Sequence, residues 1–148
     1  MNIFEALRVS HETQRALSAR LLASLADTSE REHVFTELKR ELIAHETAEE
    51  RCFYVPLFAH DATVDASRHA IAEHHQMDEM VEDLEELVGD SSSWMEGARK
   101  LCDKIEHHLA EEERKFFQEA GKVLTEAQKL SLAKEYEAEF LTLRIKQV

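Results

Sequence analysis

The stretch His45-Glu46-Thr47-Ala48-Glu49 has a second copy in the chain, His108-Leu109-Ala110-Glu111-Glu112, and the relation between the two decides how the sequence is read. A shift of 63 positions carries His45 onto His108 and Glu49 onto Glu112, and it also carries His11 onto His74, Arg51 onto Arg114 and Phe53 onto Phe116. A single His-x-x-x-Glu on a charged helix is ordinarily an exposed pair one turn apart. Two copies, each preceded by a histidine at the same distance of 34, describe an internal repeat whose chemistry is in register.

Working outward, the flanks of both copies read as long helices. The chain has 148 residues with 43% hydrophobic residues, three glycines and one proline, enough for one domain (1–148) with a large core and few breaks. From Ile3 to Ala26 the stripe Phe4, Leu7, His11, Gln14, Ser18, Leu21 and Leu25 recurs at steps of three and four, one face of a helix. Asp27-Thr28-Ser29 reads as a loop, with Ser29 and Glu32 as a capping box for a second helix that presents Phe35, Leu38, Leu42, His45, Glu49 and Cys52. Pro56 should kink or end it near Tyr54 or Val55, and His60 to Thr63 make the link.

The third helix, about Val64 to Val88, turns Ile71, His74, Met77, Val81, Leu84 and Val88 inward, with Gly89 as its stop. Ser91-Ser92-Ser93 reads as a polar turn, and Ser93 with Glu96 as a capping box. The fourth helix faces Ala98, Leu101, Ile105, His108, Glu112 and Phe116 inward until Gly121. Thr125 and Gln128 open a fifth helix with Leu132, Tyr136, Phe140 and Leu143 on its apolar side. The expected fold is all-α: an up-down four-helix bundle over about 3–120, and a C-terminal helix over about 126–145 across its outside or one end.

Charge and cysteine content exclude several partners. A net charge of -13 repels nucleic acid and anionic membrane surfaces. Cys52 and Cys102 do not correspond under the shift and read as free thiols of a reducing cytoplasm. The first residues lack the basic and apolar regions of a secretory signal, and no run has the length of a membrane span. A soluble cytoplasmic protein is expected.

The repeat has an energetic consequence. His11, His45, Glu49, His74, His108 and Glu112 all fall on stripes otherwise made of Leu, Ile, Phe, Val and Met. An ionised carboxylate in such a place carries a penalty of about several kcal/mol unless it is paired or coordinated. Two of them would consume much of a domain stability of about 5–15 kcal/mol. Histidine at i and glutamate at i+4 project from one helical face, so the repeat can gather four imidazoles and two carboxylates around an approximate two-fold axis. Two metal ions satisfy that set: one on His11 and His45, the other on His74 and His108, with Glu49 and Glu112 bridging. Positions then remain for a bridging oxide or hydroxide and an exogenous ligand. Mixed imidazole and carboxylate ligation favours two non-haem Fe ions over Mn or Zn, and the absence of thiolates speaks against structural zinc.

Bland readings compete at each position. A lone buried histidine is more often a satisfied core residue than a ligand, and here the repeat reverses that preference. Ile71, Met77 and Val81 select His74 over His75, and Leu101 and Ile105 select His108 over His107. His33, His60 and His69 match nothing under the shift and read as surface or loop residues. Glu111 and Glu113 read as a solvated face, and Met77 as core. Glu46, whose counterpart is Leu109, is left out of the set, and Tyr54 stays open. Gln14 and Asp78 are near enough in sequence to orient the imidazoles, without an assignment.

The pattern His11, His45-x-x-x-Glu49, His74, His108-x-x-x-Glu112, with Phe53-Tyr54-Val55-Pro56 after the first motif, resembles the hemerythrin-like (HHE cation-binding) domain family from about Phe4 to Phe117. The resemblance implies a four-helix bundle around a diiron centre that reacts with dioxygen or related small molecules. Oxygen-carrying members have a second histidine one turn after the third-helix ligand and an aspartate five residues after the fourth-helix histidine. Asp78 and Glu113 stand there in this chain, and Glu112 already supplies a carboxylate. That departure points away from oxygen carriage and toward a symmetric four-histidine site, which in this family is associated with sensing, peroxide or nitric oxide chemistry, and iron-sulfur cluster repair. Phosphate loops, nucleophile elbows and cysteine zinc patterns are absent. The leading expectation is a diiron protein that binds or reduces a small diatomic or peroxide ligand. The alternatives are an iron-responsive sensor with a protein partner, an iron donor to damaged clusters, and a metal-free bundle.

Overall fold

The computed structural model describes residues 1–87 and 91–146, all of whose regular elements are helical. Helix α1 spans Ile3–Ala23, α2 Thr28–Glu49, α3 Asp61–Glu86, α4 Ser91–Glu111 and α5 Glu126–Lys146. The first four form the up-down bundle, and α5 lies along α1 and α2. Val88 and Gly89, read from sequence as an inward residue and a helix stop, lie outside the described residues.

Helix starts follow local capping chemistry. Asn2 Oδ1 accepts from the Glu5 amide at 3.0 Å while Glu5 accepts from the Asn2 amide at 2.9 Å, a reciprocal box before α1. The cap of α2 is Asp27, which accepts from the Glu30 amide at 3.2 Å, so Thr28 and Ser29 are already helical and the expected Ser29 box does not form. The triplet Ser91 to Ser93 is likewise the first turn of α4 rather than a turn before it. Thr125 and Gln128 make the box expected before α5, with amide to side-chain distances of 2.8 and 3.1 Å.

The helix ends differ from sequence expectation for one shared reason. Directly after Glu49 and Glu111 the chain widens into π-helical turns, Glu50–Tyr54 and Glu112–Phe116, and then returns to α geometry over Val55–Leu57 and Phe117–Val123. A π turn bonds i to i+5, so residues five apart stand nearly above one another, whereas in an α-helix they diverge by about 140°. Phe53 and Tyr54 therefore turn inward at 0% exposure, and Cys52, which the 3.6 period placed on the buried face, sits only at the margin of the core. Pro56 stands at the start of the last helical turn and does not end the helix at Val55. Gly121 also stays helical, and the chain leaves the helix at Leu124, where the next cap begins.

The core has two parts. One end is aliphatic, with Leu21, Leu38, Leu42, Leu84, Leu101, Ile105 and Leu109 in one cluster with Trp94. The other is aromatic, with Phe53, Tyr54, Phe116, Phe117 and Tyr136 around Leu7 and Leu57. Each such buried side chain contributes about 1.5–3 kcal/mol. Between them lies a layer of buried polar residues.

Candidate metal centre

The polar layer contains all six residues of the repeat. His11 comes from α1, His45 and Glu49 from α2, His74 from α3, and His108 and Glu112 from α4 and its π turn; none is more than 3% exposed. They converge through one kind of atom, the imidazole Nε2. His11 Nε2 lies 3.1 Å from Glu112 Oε1, His45 Nε2 3.2 Å from Glu49 Oε1, and His74 Nε2 3.3 Å from Glu49 Oε1. His108 Nε2 is 3.7 Å from Glu112 Oε2 and 3.1 Å from His74 Nε2. Two potential cation groups result, His11-His45-Glu49-Glu112 and Glu49-His74-His108, which share Glu49.

Every Nδ1 atom faces outward to a fixed partner. His11 Nδ1 lies 2.7 Å from Glu113 Oε2, His74 Nδ1 3.0 Å from Glu50 Oε2, and His108 Nδ1 2.9 Å from Glu73 Oε1. His45 Nδ1 is 2.7 Å from the Tyr136 hydroxyl, itself 2.6 Å from Ser10 Oγ. A carboxylate only accepts, so Glu113, Glu50 and Glu73 place a proton on Nδ1 and turn Nε2 to the centre as the nitrogen a cation would take.

Nitrogen and oxygen ligand atoms crowd the centre, and several lack a protein partner. The Nε2 atoms of His11 and His45, Glu49 Oε2 and Glu112 Oε1 are buried with no hydrogen-bond partner. Buried orphans of this kind are rare and ordinarily signal a missing ion or a functional strain. The donor set therefore fits cations: nitrogen lone pairs and carboxylate oxygens aimed at one volume, each imidazole fixed from behind.

Tyr54, which the sequence left open, stands inside the cluster. Its hydroxyl donates to Glu49 Oε1 at 2.7 Å, touches Glu112 Oε2 and lies 3.4 Å from His74 Nε2. The π turn after Glu49 is what brings it there.

Electrostatics divide the two inner carboxyls. Burial and then the charge of Glu49 push Glu112 up to about 8. Burial also opposes ionisation of Glu49, yet His45 beside it, the proton on Glu112 and the positive charge kept by His11 hold it well below the ordinary range. Without a cation, then, the pair keeps one proton. Two of the outer carboxyls stay ionised. Glu73 is held at about 2, chiefly by its bond to His108, and Glu113 at about 2 because His11 and Arg15 outweigh its burial. Burial drives His45 down to about 4.

The residues expected to orient the imidazoles are not the ones that do so. Gln14 is buried with its Nε2 unpartnered, and Asp78 lies exposed on α3. Glu113, read as part of a solvated face, is only 15% exposed in its side chain and holds His11, with Arg15 behind it at 3.0 Å. The shift of 63 could have found it, since it pairs Glu113 with Glu50, which holds His74. No sequence signal identified Tyr136. His33, His69, His75 and His107 are exposed and His60 is intermediate, although His69 lies 3.5 Å from Glu73. Glu46, set aside from sequence, is buried beside the cluster, where burial first and then Asp78 raise its carboxyl well above the usual range.

A cavity of about 330 Å³ between α3 and α4 reaches the centre. Ala66, Ala70 and Phe116 line it, and it ends on His108 and Glu112.

Comparison with known proteins shows the family and the fold. The family model described as the hemerythrin HHE cation binding domain matches residues 2–120. The crystal structure of a hemerythrin HHE cation binding domain-containing protein from Mycobacterium kansasii matches with a TM-score of 0.86 at 25% identity, covering 99% of this chain and 89% of that one. This structural match, unlike the family model, includes α5. No curated protein sequence matches the chain.

Proposed function

This chain belongs to the hemerythrin HHE cation binding domain family, and we propose that it holds two iron ions in the polar layer and uses them to bind or reduce a small oxidant: dioxygen, peroxide or nitric oxide. The observation that carries the reading is the convergence of four Nε2 atoms and two carboxylates, with every Nδ1 secured elsewhere and four central atoms left without a partner. His11, His45, Glu49 and Glu112 would hold one ion, and His74 and His108 the other, with Glu49 shared; the Tyr54 hydroxyl is a further oxygen within the same cluster. Bound iron would supply redox chemistry and open coordination positions.

The protein's own residues do the rest. Glu50, Glu73 and Glu113 keep three Nδ1 atoms protonated and raise the basicity of the rings. The aromatic layer of Phe53, Phe116 and Phe117 excludes water from one side. The α3–α4 cavity admits a molecule of a few atoms to the face bearing His108 and Glu112. No helix among the described residues is long and apolar enough to cross a membrane, and the free thiols of Cys52 and Cys102 fit a reducing cytoplasm. The test is anaerobic loading with ferrous iron followed by admission of air. Two iron ions per chain and new near-ultraviolet absorption are expected. One ion per chain, or an unchanged spectrum, overturns the reading.

A second reading, an iron-responsive sensor, draws on the placement of the six residues on four different helices, so that ion binding and bundle stability are coupled. Metal-free and iron-loaded protein should then differ in helicity and protease resistance. Identical behaviour counts against a switch.

A further inference from the structure

The α3–α4 cavity has an outer end as well as an inner one. His108 and Glu112 close it within the bundle, whereas Asp65, His69, Lys115 and Glu119 line it and are exposed. At that mouth His69, Glu73 and Glu111 form a third group of potential ligand atoms, all within 4.8 Å of one another and drawn from both α3 and α4. None of the three belongs to the six residues of the centre.

An exposed histidine beside glutamates is ordinarily a solvated pair of little energetic consequence. His75 with Glu79 is such a pair: the spacing is the same, the helix is the same, Nε2 and Oε1 meet at 2.8 Å, and both side chains are exposed. His69 is placed differently. Its Nε2 lies 3.5 Å from Glu73 Oε1 and 3.7 Å from Glu111 Oε1, both longer than a hydrogen bond. Ligand atoms around one ion, with bonds of about 2.1 Å, stand about 3.0–3.4 Å apart, so a cation among the three requires only a small inward movement. Glu73 is moreover buried, at 4% exposure, and held by Lys104 Nζ at 3.0 Å and His108 Nδ1 at 2.9 Å. From this group the cavity leads to Glu112, 3% exposed, one of whose oxygens has no partner among the described residues.

We propose that His69, Glu73 and Glu111 bind one divalent cation at the mouth of the α3–α4 cavity, and that ferrous iron passes through this site on its way to the centre. One imidazole with two carboxylates suits Fe²⁺, Mn²⁺ or Zn²⁺. Since none of the six central residues is more than 3% exposed, an arriving ion must exchange its water for protein ligands on the way in, and the mouth offers the first exchange. Glu73 Oε1 has two lone pairs, so it can take the ion and still hold His108. The repeat provides only one such mouth, because the counterparts of His69, Glu73 and Glu111 are Ala6, Ser10 and Ala48. The loading role rests on the reading of the centre as an iron site; the mouth site itself does not.

Two measurements on the full chain test these parts separately. Iron-loaded protein is titrated with Mn²⁺, free Mn²⁺ being read from its paramagnetic resonance signal and iron content measured on the same samples. One Mn²⁺ per chain is expected, bound at least about tenfold more weakly after His69→Ala or Glu111→Gln and unchanged after His75→Ala. Metal-free protein is then mixed with Fe²⁺ without air, and bound iron is followed over time by quenching with a chelator. His69→Ala should take up iron several times more slowly than wild type and His75→Ala, yet reach the same final iron per chain. Equal Mn²⁺ binding by wild type and His69→Ala overturns the mouth site, and equal uptake rates overturn the route. Fewer than two iron ions per chain in the wild type is the separate failure of the central reading, and the Mn²⁺ comparison still decides the mouth.

Discussion

The half of the centre that carries His74 and His108 is braced by carboxylates alone, Glu50 and Glu73, whereas the half that carries His11 and His45 is braced by one carboxylate, Glu113, and one phenol, Tyr136. Part of this is symmetric. Glu50 and Glu113 are counterparts under the shift of 63, and each reaches across to the histidine of the neighbouring repeat. The symmetry ends at the next pair. Glu73 bonds His108 directly, but its counterpart is Ser10, whose hydroxyl meets Tyr136 of α5, and it is the tyrosine that touches His45. Tyr54 is a third difference, since its counterpart Phe117 has no hydroxyl and stacks on His11 at 5.9 Å. The repeat places the atoms that face the cations. What stands behind them, and so the charge and proton balance of each half, is supplied by residues the repeat does not fix.

The largest effect should come from removing what the halves share. Glu49→Ala with Glu112→Ala is expected to abolish stoichiometric iron binding, read as iron per chain after loading. A metal-free bundle would instead tolerate or gain stability from the loss of two buried carboxyls, a result visible in chemical denaturation. The asymmetric braces come next. Glu73→Ala should weaken metal affinity toward the upper end of about 10–100-fold, and Tyr136→Phe toward the lower end, because a phenol raises imidazole basicity less than a carboxylate does. Competition with a chelator measures both, and equal losses would mean that the two halves are functionally alike.

Tyr54→Phe makes the halves more similar and removes a donor shared by two buried carboxyls. The metal-free protein should lose about 1–3 kcal/mol by denaturant titration, the cost of leaving such acceptors unsatisfied. The smallest effect concerns protons. Glu112 keeps its proton up to about pH 8 in the metal-free fold, above the 4.5 of an ordinary glutamate. Over that window the folded chain binds more protons than the unfolded one, so its Glu112-linked stability falls as pH rises. A cation must displace this proton and those that carboxylate partners keep on His11 and His74 despite their burial, so metal binding at pH 7 should release more than one proton and affinity should rise with pH. Calorimetry in buffers of different ionisation enthalpy reads the release directly.

Much of the fold was legible because few residues interrupt helical periodicity, and the stripes of α1, α3 and α4 reproduce the buried faces closely. Legibility failed where the period itself changed. The two π turns rotate Phe53, Tyr54 and Phe117 inward, and a 3.6-residue reading cannot show this. The partners of the imidazoles were missed for another reason. Tyr136 lies 91 residues from His45 and Glu73 lies 35 from His108, so no local spacing relates them.

By itself the sequence determined the helical class and the six inward positions, because i,i+4 spacing and an internal repeat act through local geometry that each helix carries wherever it packs. Only the tertiary structure decided which nitrogen of each ring faces the centre, that α5 completes one half of it, and where a cavity meets it. Those features depend on side chains from different helices arriving at one point, and that is settled by packing.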